Sequence, residues 1–194
     1  MMKIVQAPNE VLSSSAKRIE KIDSGVKKII EQMKIALDQA RDPEGVGLAA
    51  PQIGKSLRIF IAKPNPKKPV MVFLNPEIKS FSDDVKNEVS QSKKTEKAKE
   101  KSGIKKGKQL EGCLSLKDIW GTVNRHSKIK LSYMDDKGLQ HEEEFEGFLA
   151  TIIQHETDHL NGILFPKRVL EQKGQLYKSS KDEKGEDVFD EINL

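Results

Sequence analysis

Residues 147–160 read GFLATIIQHETDHL, and this stretch indicates both the architecture and the chemistry of the chain. Its apolar side chains recur at the spacing of one helical face, which predicts that this face packs inward; they are Leu149, Ile152, Ile153 and Leu160. Asn161 and Gly162 follow and supply a helix stop signal. The stretch therefore predicts a buried helix over residues 147–160.

The polar half of this helix has the spacing of a metal site. His155 and His159 are four residues apart, so their imidazoles lie one turn above each other and can reach one ion. Glu156 is placed beside them to take a proton from a water molecule whose pKa the metal lowers. The alternative is two exposed histidines on a polar face. The apolar run before them argues against it, because buried imidazoles need partners.

A catalytic metal usually has three protein ligands, so a third one must come from elsewhere in the chain. His126 and His141 lie in polar stretches that predict solvated side chains, and an acidic residue is a further alternative. Cys113 is the single cysteine and follows Gly112, which permits an unusual backbone path. A lone cysteine is often only a small buried residue. Beside a two-histidine helix that lacks a ligand, Cys113 is favoured.

A glycine- and alanine-rich segment, GVGLAAPQIG at residues 45–54, allows the backbone to approach another group closely. It lacks the Gly-Lys-Ser/Thr ending of a phosphate loop, and its simplest alternative is a tight turn into a strand. Gln52 is a polar side chain in this apolar run. It is a candidate donor to a developing oxyanion.

The remaining periodicities predict an α+β fold, with mixed or antiparallel strands packed around a central metal-binding helix. A helix is predicted over residues 24–41 with Ser24 as its cap, and a weaker helix over 167–177. Strands are predicted at 57–62, 70–74, 129–133 and 142–145, with a turn at 135–138. The polar tail after Lys178 is expected to be frayed.

The net charge of +4 is concentrated in one segment. Residues 79–108 contain 10 lysines against five acidic residues and few apolar ones, which predicts a mobile insertion. The expected organisation is one catalytic domain over residues 1–168, interrupted by 79–108 and followed by a helix or tail at 169–194. Charge in a single segment argues against sequence-specific nucleic-acid binding. No signal peptide, transit peptide or membrane span is apparent, so a cytoplasmic location is expected.

Three segments of the chain, one around Gln52, one around Cys113 and one around the His155–His159 pair, resemble those of the peptide deformylases and stand in the same order. That family carries Gly-x-Gly-Leu-Ala-Ala-x-Gln, Glu-Gly-Cys-Leu-Ser and Gln-His-Glu-x-Asp-His-Leu, which stand here at residues 45–52, 111–115 and 154–160. The similarity also covers Asn75-Pro76, Val123-x-Arg125 and the opening residues 4–12, where the family has a strand and turn. The chain departs from the family pattern at three places. Its basic insertion is longer than usual, Leu116-Lys117 stands where the family commonly has a proline two residues after the serine, and Thr151 is more polar than the usual residue.

The resemblance implies a peptide-deformylase-like fold and removal of the N-formyl group from the initiator methionine of nascent polypeptides, with formate released. It implies a metal held by Cys113, His155 and His159, with a metal-bound water as nucleophile and Glu156 as general base and acid. Leu114, through its backbone N–H, and Gln52 would stabilise the oxyanion. The implied substrate-binding residues are Val46, Gly47, Glu111, Gly112, Phe148, Thr151 and Ile152. Fe²⁺ is the implied ion in the cell, replaceable by Zn²⁺, Ni²⁺ or Co²⁺.

Two other functions use the same motif. A zinc peptidase would take its third ligand downstream, where only Glu171, Glu183 and Glu186 offer one, and would leave Cys113 structural. A degraded relative that only binds would have no need of Glu156 or Gln52.

The basic insertion adds a candidate partner, because a lysine-rich segment can bind the RNA phosphates of a ribosome surface. Its alternative is a solvated loop without a partner, since it has no aromatic residue beyond Phe81 for stacking on bases.

Overall fold

A computed structural model of the chain describes residues 3–41, 44–86 and 110–193. Its helices are α1 (Glu10–Ser13), α2 (Ser24–Gln39), α3 (Gly147–Leu160) and α4 (Phe165–Glu171), with a 3-10 helix at Ala50–Ile53. Its strands are β1 (Gly47–Ala49), β2 (Ile59–Ala62), β3 (Met71–Phe81), β4 (Val85–Lys86), β5 (Glu111–Cys113), β6 (Leu116–Gly121), β7 (Arg125–His126), β8 (Lys128–Met134), β9 (Gln140–Glu146), β10 (Leu176–Lys181) and β11 (Asp187–Ile192). None of these helices has the length and apolar character needed to cross a bilayer.

A five-stranded antiparallel sheet in the order β1-β2-β3-β8-β9 forms the centre of the fold. Strand β2 shows why both faces of this sheet are covered, because its four residues are all buried. Ile59 and Ile61 point to the side where α2 packs, whereas Phe60 and Ala62 point to the side where α3 packs. Alternate residues of a strand face opposite sides, so an unbroken apolar strand needs a helix on each side.

The α+β fold expected from the sequence is confirmed, and α3 has the predicted limits. Helix α2 begins where predicted and ends at Gln39. Its cap is Asp23 rather than Ser24, because the Asp23 carboxylate accepts the Val26 N–H at 2.9 Å. The opening residues form extended chain and the short helix α1 instead of the strand and turn that the resemblance implied.

A second, four-stranded antiparallel sheet in the order β11-β10-β6-β5 places Cys113 beside α3. Helix α4 packs on one side of this sheet, where it buries Phe165 and Val169 against Val123 and Leu176. The prediction of a helix to residue 177 followed by a frayed tail was wrong. The helix ends at Glu171, and strands β10 and β11 form a paired hairpin.

The predicted boundary of the basic insertion also needs correction. Residues 79–81 belong to β3, and Ile129 of β8 pairs with Phe81. Strand β4 follows at residues 85–86 and pairs with β7. The rest of the predicted insertion, from residue 87 to 108, lies outside the described residues, so its predicted mobility stays a prediction.

Candidate metal centre and its cleft

Two elements of the fold bring three potential metal ligands together. Helix α3 presents His155 and His159 one turn apart, with ring centroids separated by 4.9 Å. Strand β5 ends at Cys113, whose Sγ lies 3.2 Å from Nε2 of His159. One ligand atom from each residue lies within 4.8 Å of the others. The three ligands predicted from the sequence therefore lie in one cluster.

This cluster fits a divalent transition-metal ion. A thiolate and two imidazoles are ligands that Zn²⁺ and Fe²⁺ accept. Four-coordinate binding at bond lengths of about 2.0–2.3 Å places donor atoms roughly 3.3–4 Å apart, close to the separations seen here. Oε2 of the buried Glu156 has no hydrogen-bond partner among the described residues. A carboxylate oxygen thus remains available to a molecule that enters beside the three ligands.

The orientation of His155 is set by Glu111 of β5. Nδ1 of His155 lies 2.7 Å from Oε1 of Glu111, which leaves Nε2 for a metal. Burial by itself opposes ionisation of Glu111, but the charges of Arg125 and His155 outweigh it and hold the pKa of the carboxyl well below its usual range. Glu111 is therefore a fixed carboxylate that orients His155, a potential metal ligand, and it also lines the cleft.

A chain of ion pairs anchors this carboxylate. Arg125 of β7 donates two hydrogen bonds to Glu111, at 2.7 and 3.0 Å, and a third to Asp158 at 2.7 Å. Arg168 of α4 donates to the other side of Asp158 at 2.7 Å. Arg125 and Asp158 are buried, so each charge needs the partners that the network provides. Arg125 and Asp158 belong to the motifs Val123-x-Arg125 and His-Glu-x-Asp-His, but no role was predicted for them. Their places in these motifs were the available signal, because both lie in polar stretches of sequence.

The other histidine has a different electrostatic environment. Burial and the charge of His155 lower the pKa of His159 well below its ordinary value. A neutral imidazole is the form that binds a metal. Burial by itself would lower the pKa of His155, but the charges and hydrogen bonds of Glu111 and Cys113 together raise it.

Glu156 is buried in direct contact with the glycine-rich segment. A Cβ added at Gly47 would overlap Oε1 of Glu156 and would lie 2.9 Å from Cγ2 of Ile152. The close approach that the small residues predicted is therefore an approach to Glu156. Burial raises the pKa of Glu156 to about 7, which suits a group that must take up and release a proton near neutral pH.

Gln52 reaches the centre from the 3-10 helix. Its Oε1 accepts the Ala49 N–H at 2.8 Å, which fixes the amide so that Nε2 points toward Ser115 Oγ at 3.2 Å and Cys113 Sγ at 3.5 Å. The N-terminal segment holds in place both the 3-10 helix that carries Gln52 and Leu114, which follows β5. Val5 N–H donates to the Gln52 carbonyl at 2.8 Å, and Gln6 Nε2 donates to the Leu114 carbonyl at 2.9 Å.

A cleft of about 200 Å³ opens beside these groups. The predicted site residues that line it are Val46, Gly47, Gln52, Glu111, Gly112, Cys113, Leu114, Phe148, Thr151, Ile152, His155 and Glu156. His159 lies beneath this lining as part of the metal cluster. Glu44, Leu110 and Trp120 also line the cleft and were not predicted from the sequence. Trp120 is the single tryptophan, which was the one signal available for it.

The alternative ligands have partners elsewhere. Nδ1 of His126 lies 2.7 Å from the Ser82 carbonyl, and Nε2 of His141 lies 3.0 Å from Oδ2 of Asp135. Glu171 accepts a hydrogen bond from Arg168. Among the residues that the structure describes, the ligand cluster contains Cys113 and none of these groups.

Comparison with known proteins agrees with this geometry. The family model described as polypeptide deformylase matches residues 1–175. The peptide deformylase of Prochlorococcus marinus (strain NATL1A) is 35% identical over 175 residues, which cover 89% of this chain and 75% of that protein. That of Agrobacterium fabrum is 35% identical over 165 residues, which cover 84% of this chain and 83% of that protein.

Solved structures give the same result. The peptide deformylase of Synechococcus elongatus in complex with actinonin superposes with a TM-score of 0.70 at 30% identity, covering 86% of this chain and 78% of that one. The peptide deformylase of Thermotoga maritima superposes with a TM-score of 0.69 at 33% identity, covering 87% of this chain and 97% of that one. The Met-Ala-Ser-bound enzyme of Acinetobacter baumannii also gives 0.69, at 30% identity, with 87% and 98% covered. The chain belongs to the peptide deformylase family.

Proposed function

We propose that the protein catalyses metal-dependent hydrolysis of the N-formyl group from the initiator methionine of nascent polypeptides, releasing formate. The observation that carries this proposal is the convergence of Cys113, His155 and His159 with Glu156 and Gln52 at one cleft. Membership of the peptide deformylase family supports the same reaction. A pure binding module would have no use for a buried carboxylate with a raised pKa beside a ligand cluster.

Cys113, His155 and His159 would hold the metal, which when bound lowers the pKa of water and polarises a carbonyl. Glu156 then takes a proton from a water molecule as the water oxygen attacks the formyl carbon. As the C–N bond breaks, Glu156 returns this proton to the leaving amine. The products are formate and a peptide with a free N-terminus.

The developing oxyanion needs donors that are already in place. The Gln52 amide is fixed by Ala49 and Ser115, so Nε2 is directed into the centre without further ordering. We assign the backbone N–H of Leu114 as the second donor. Val46 and Gly112 would hold the substrate backbone as an added strand, and Phe148, Thr151 and Ile152 would contact the methionine side chain.

We infer Fe²⁺ as the ion in the cell, with Zn²⁺, Ni²⁺ or Co²⁺ able to take the same ligands. The thiolate and two imidazoles accept all four ions, so the preference for iron rests on the family resemblance. A thiolate next to Fe²⁺ is prone to oxidation. Preparation under anaerobic conditions follows from this inference.

Product analysis tests the proposed reaction against the peptidase alternative. Formyl-Met-Ala-Ser is incubated with the metal-loaded protein, and the products are identified by mass spectrometry. We expect Met-Ala-Ser and formate, with both internal peptide bonds intact. Cleavage between residues of the peptide, with the formyl group retained, would instead indicate a peptidase.

Replacing Gln52 with Ala should lower kcat on the order of a hundredfold and change KM less, because the donor acts mainly on the transition state. This lies at the low end for an oxyanion donor, since the Leu114 N–H remains. Steady-state kinetics of formate release measures the changes in kcat and in KM separately, and thermal melting of both proteins checks that the fold is intact. A change confined to KM would make Gln52 a substrate-binding residue.

We also propose, from charge alone, that the basic insertion helps the protein to meet nascent chains at the ribosome in the cytoplasm. Residues 87–109 contain eight lysines against three acidic residues. Replacing these lysines with Gln should reduce ribosome co-sedimentation, whereas hydrolysis of a short peptide should stay unchanged. Binding by the unaltered protein should fall steeply as salt rises. Equal sedimentation of the two proteins at low salt would show that the segment is only a solvated loop.

A further inference from the structure

The C-terminal hairpin, formed by β10 and β11, lies beyond the residues that the family model matches, yet it belongs to the same sheet as β5, which carries Cys113. The match ends at residue 175, and the hairpin begins at Leu176. Strand β10 pairs with β6, and β6 pairs with β5, which carries Cys113. The hairpin is therefore only two strands away from the metal cluster.

Trp120 on β6 is the residue through which the hairpin reaches the cleft. Its indole Nε1–H donates to Ser179 Oγ of β10 at 3.1 Å. Its ring meets Phe189 of β11 edge to face, with centroids 5.7 Å apart and an interplanar angle of 89°. Leu110, Tyr177 and Phe189, each 5% exposed, complete a small apolar cluster around it. Two separate contacts from the hairpin thus fix the ring, which would otherwise have several rotamers.

The ring lies across Gly112. Trp120 and Gly112 are paired residues of β6 and β5, and a Cβ added at Gly112 would come 2.8 Å from Cε3 and Cζ3 of the indole. The half-buried ring lines the cleft together with Leu110 and Gly112. Since β5 is the edge strand of its sheet in the described part of the chain, the indole forms a wall next to the strand that would hold the substrate.

Strand geometry indicates which part of a substrate meets this wall. Successive side chains of an extended peptide point to opposite sides. If the methionine side chain lies toward Phe148 and Ile152 of α3, the next side chain points away from α3. Gly112 and Trp120 are on that side of β5, because Glu111 and Cys113 face the metal cluster. An indole face offers apolar area to that side chain.

We propose that the C-terminal hairpin is a positioning element that holds Trp120 as a specificity wall, favouring an apolar or aromatic residue directly after the formyl-methionine. This proposal rests on the proposed deformylase function. The hairpin residues Ser179 and Phe189 are positioning residues, because among the described residues they do not line the cleft. Both contact Trp120, and Phe189 also shares an apolar cluster with Leu110.

Kinetic discrimination tests the proposal. The ratio of kcat/KM for formyl-Met-Phe-Ser to that for formyl-Met-Ser-Ser is measured for the metal-loaded full chain and its variants. Trp120→Ala should lower this ratio by about fivefold, the scale of one aromatic contact. Ser179→Ala and Phe189→Ala should lower it in the same direction, and Ser179→Thr, which keeps the hydroxyl, should restore it. Ser180→Ala, an exposed serine on the same strand, is the matched control.

The single tryptophan provides a second readout that needs no turnover. Ser179→Ala and Phe189→Ala should each raise the acrylamide quenching of Trp120 fluorescence, whereas Ser180→Ala should not. The product peptide Met-Phe-Ser should shift the emission more than Met-Ser-Ser does. An unchanged kinetic ratio in Trp120→Ala would overturn the specificity wall. A changed ratio there but not in Ser179→Ala or Phe189→Ala would overturn the role of the hairpin.

These outcomes are separable from failure of the proposed function. If no formyl peptide is hydrolysed by a correctly metal-loaded protein, the deformylase function fails, whatever the fluorescence shows. If formyl peptides are hydrolysed but neither product peptide changes the Trp120 emission, the function stands and the wall does not.

Discussion

A Glu156→Gln variant should bind metal normally and release formate at about a thousandth of the unaltered rate, and at most about a hundredth. Glutamine has the same shape and can still form hydrogen bonds, but it cannot accept and return a proton. The carboxylate is buried beside Gly47 and the ligand cluster, and burial raises its pKa to about 7. Its position and its proton affinity both suit the proposed proton transfer.

The measurement is steady-state formate release by the metal-loaded variant, with elemental analysis and a thermal melt on the same sample. Thr157→Ser is a suitable control, because Thr157 is the buried neighbour of Glu156 on α3 and lies outside the cleft lining. It should keep turnover within a few fold. Near-normal turnover in a folded, metal-loaded Glu156→Gln protein would contradict the mechanism.

Loss of the thiolate should have a comparably large effect through the metal. In Cys113→Ala, two imidazoles remain, and two ligands rarely retain a catalytic ion. We expect less than one-tenth of the normal metal content after dialysis, and formate release at least about a thousandfold lower, since the remaining protein groups cannot activate water alone. The variant should fold, because the change removes only one small buried group.

Elemental analysis after dialysis against a weak chelator checks this expectation. His141→Ala is the matched control, because it removes an imidazole that is bound to Asp135 and is outside the ligand cluster. That protein should keep its metal and its activity. If Cys113→Ala retains a full equivalent of metal, the third ligand lies elsewhere, as the peptidase alternative requires.

The helical half of the candidate metal centre was predictable because its signals are local. Helical periodicity determined the limits of α3, and the spacing of His155 and His159 follows from the pitch of a helix. Cys113 lies 42 residues before His155, so the periodicity of α3 says nothing about it. It was identified because one ligand was missing and because three motifs resembled one family in order. The structure then places it 3.2 Å from His159.

The surroundings of the centre were less predictable because they depend on distant pairing. The Glu111–Arg125–Asp158–Arg168 network joins four elements, and no spacing in the sequence predicts its connectivity. The C-terminal hairpin was not predicted because polar residues make up most of its two strands. Asp182 and Gly185 at its turn resemble Asp135 and Gly138, which were correctly interpreted as a turn. The apolar side chain of Phe189 in the hairpin packs against Trp120, which lies much earlier in the sequence.

The most direct test of the central claim is formate release from a formyl-Met peptide by protein purified and loaded with Fe²⁺ without oxygen. Acetyl-Met-Ala-Ser and the Glu156→Gln variant serve as substrate and enzyme controls. We predict one formate for each free N-terminus formed from formyl-Met-Ala-Ser, with little release from either control. A metal-loaded protein that forms no more formate than its Glu156→Gln variant would contradict the assignment.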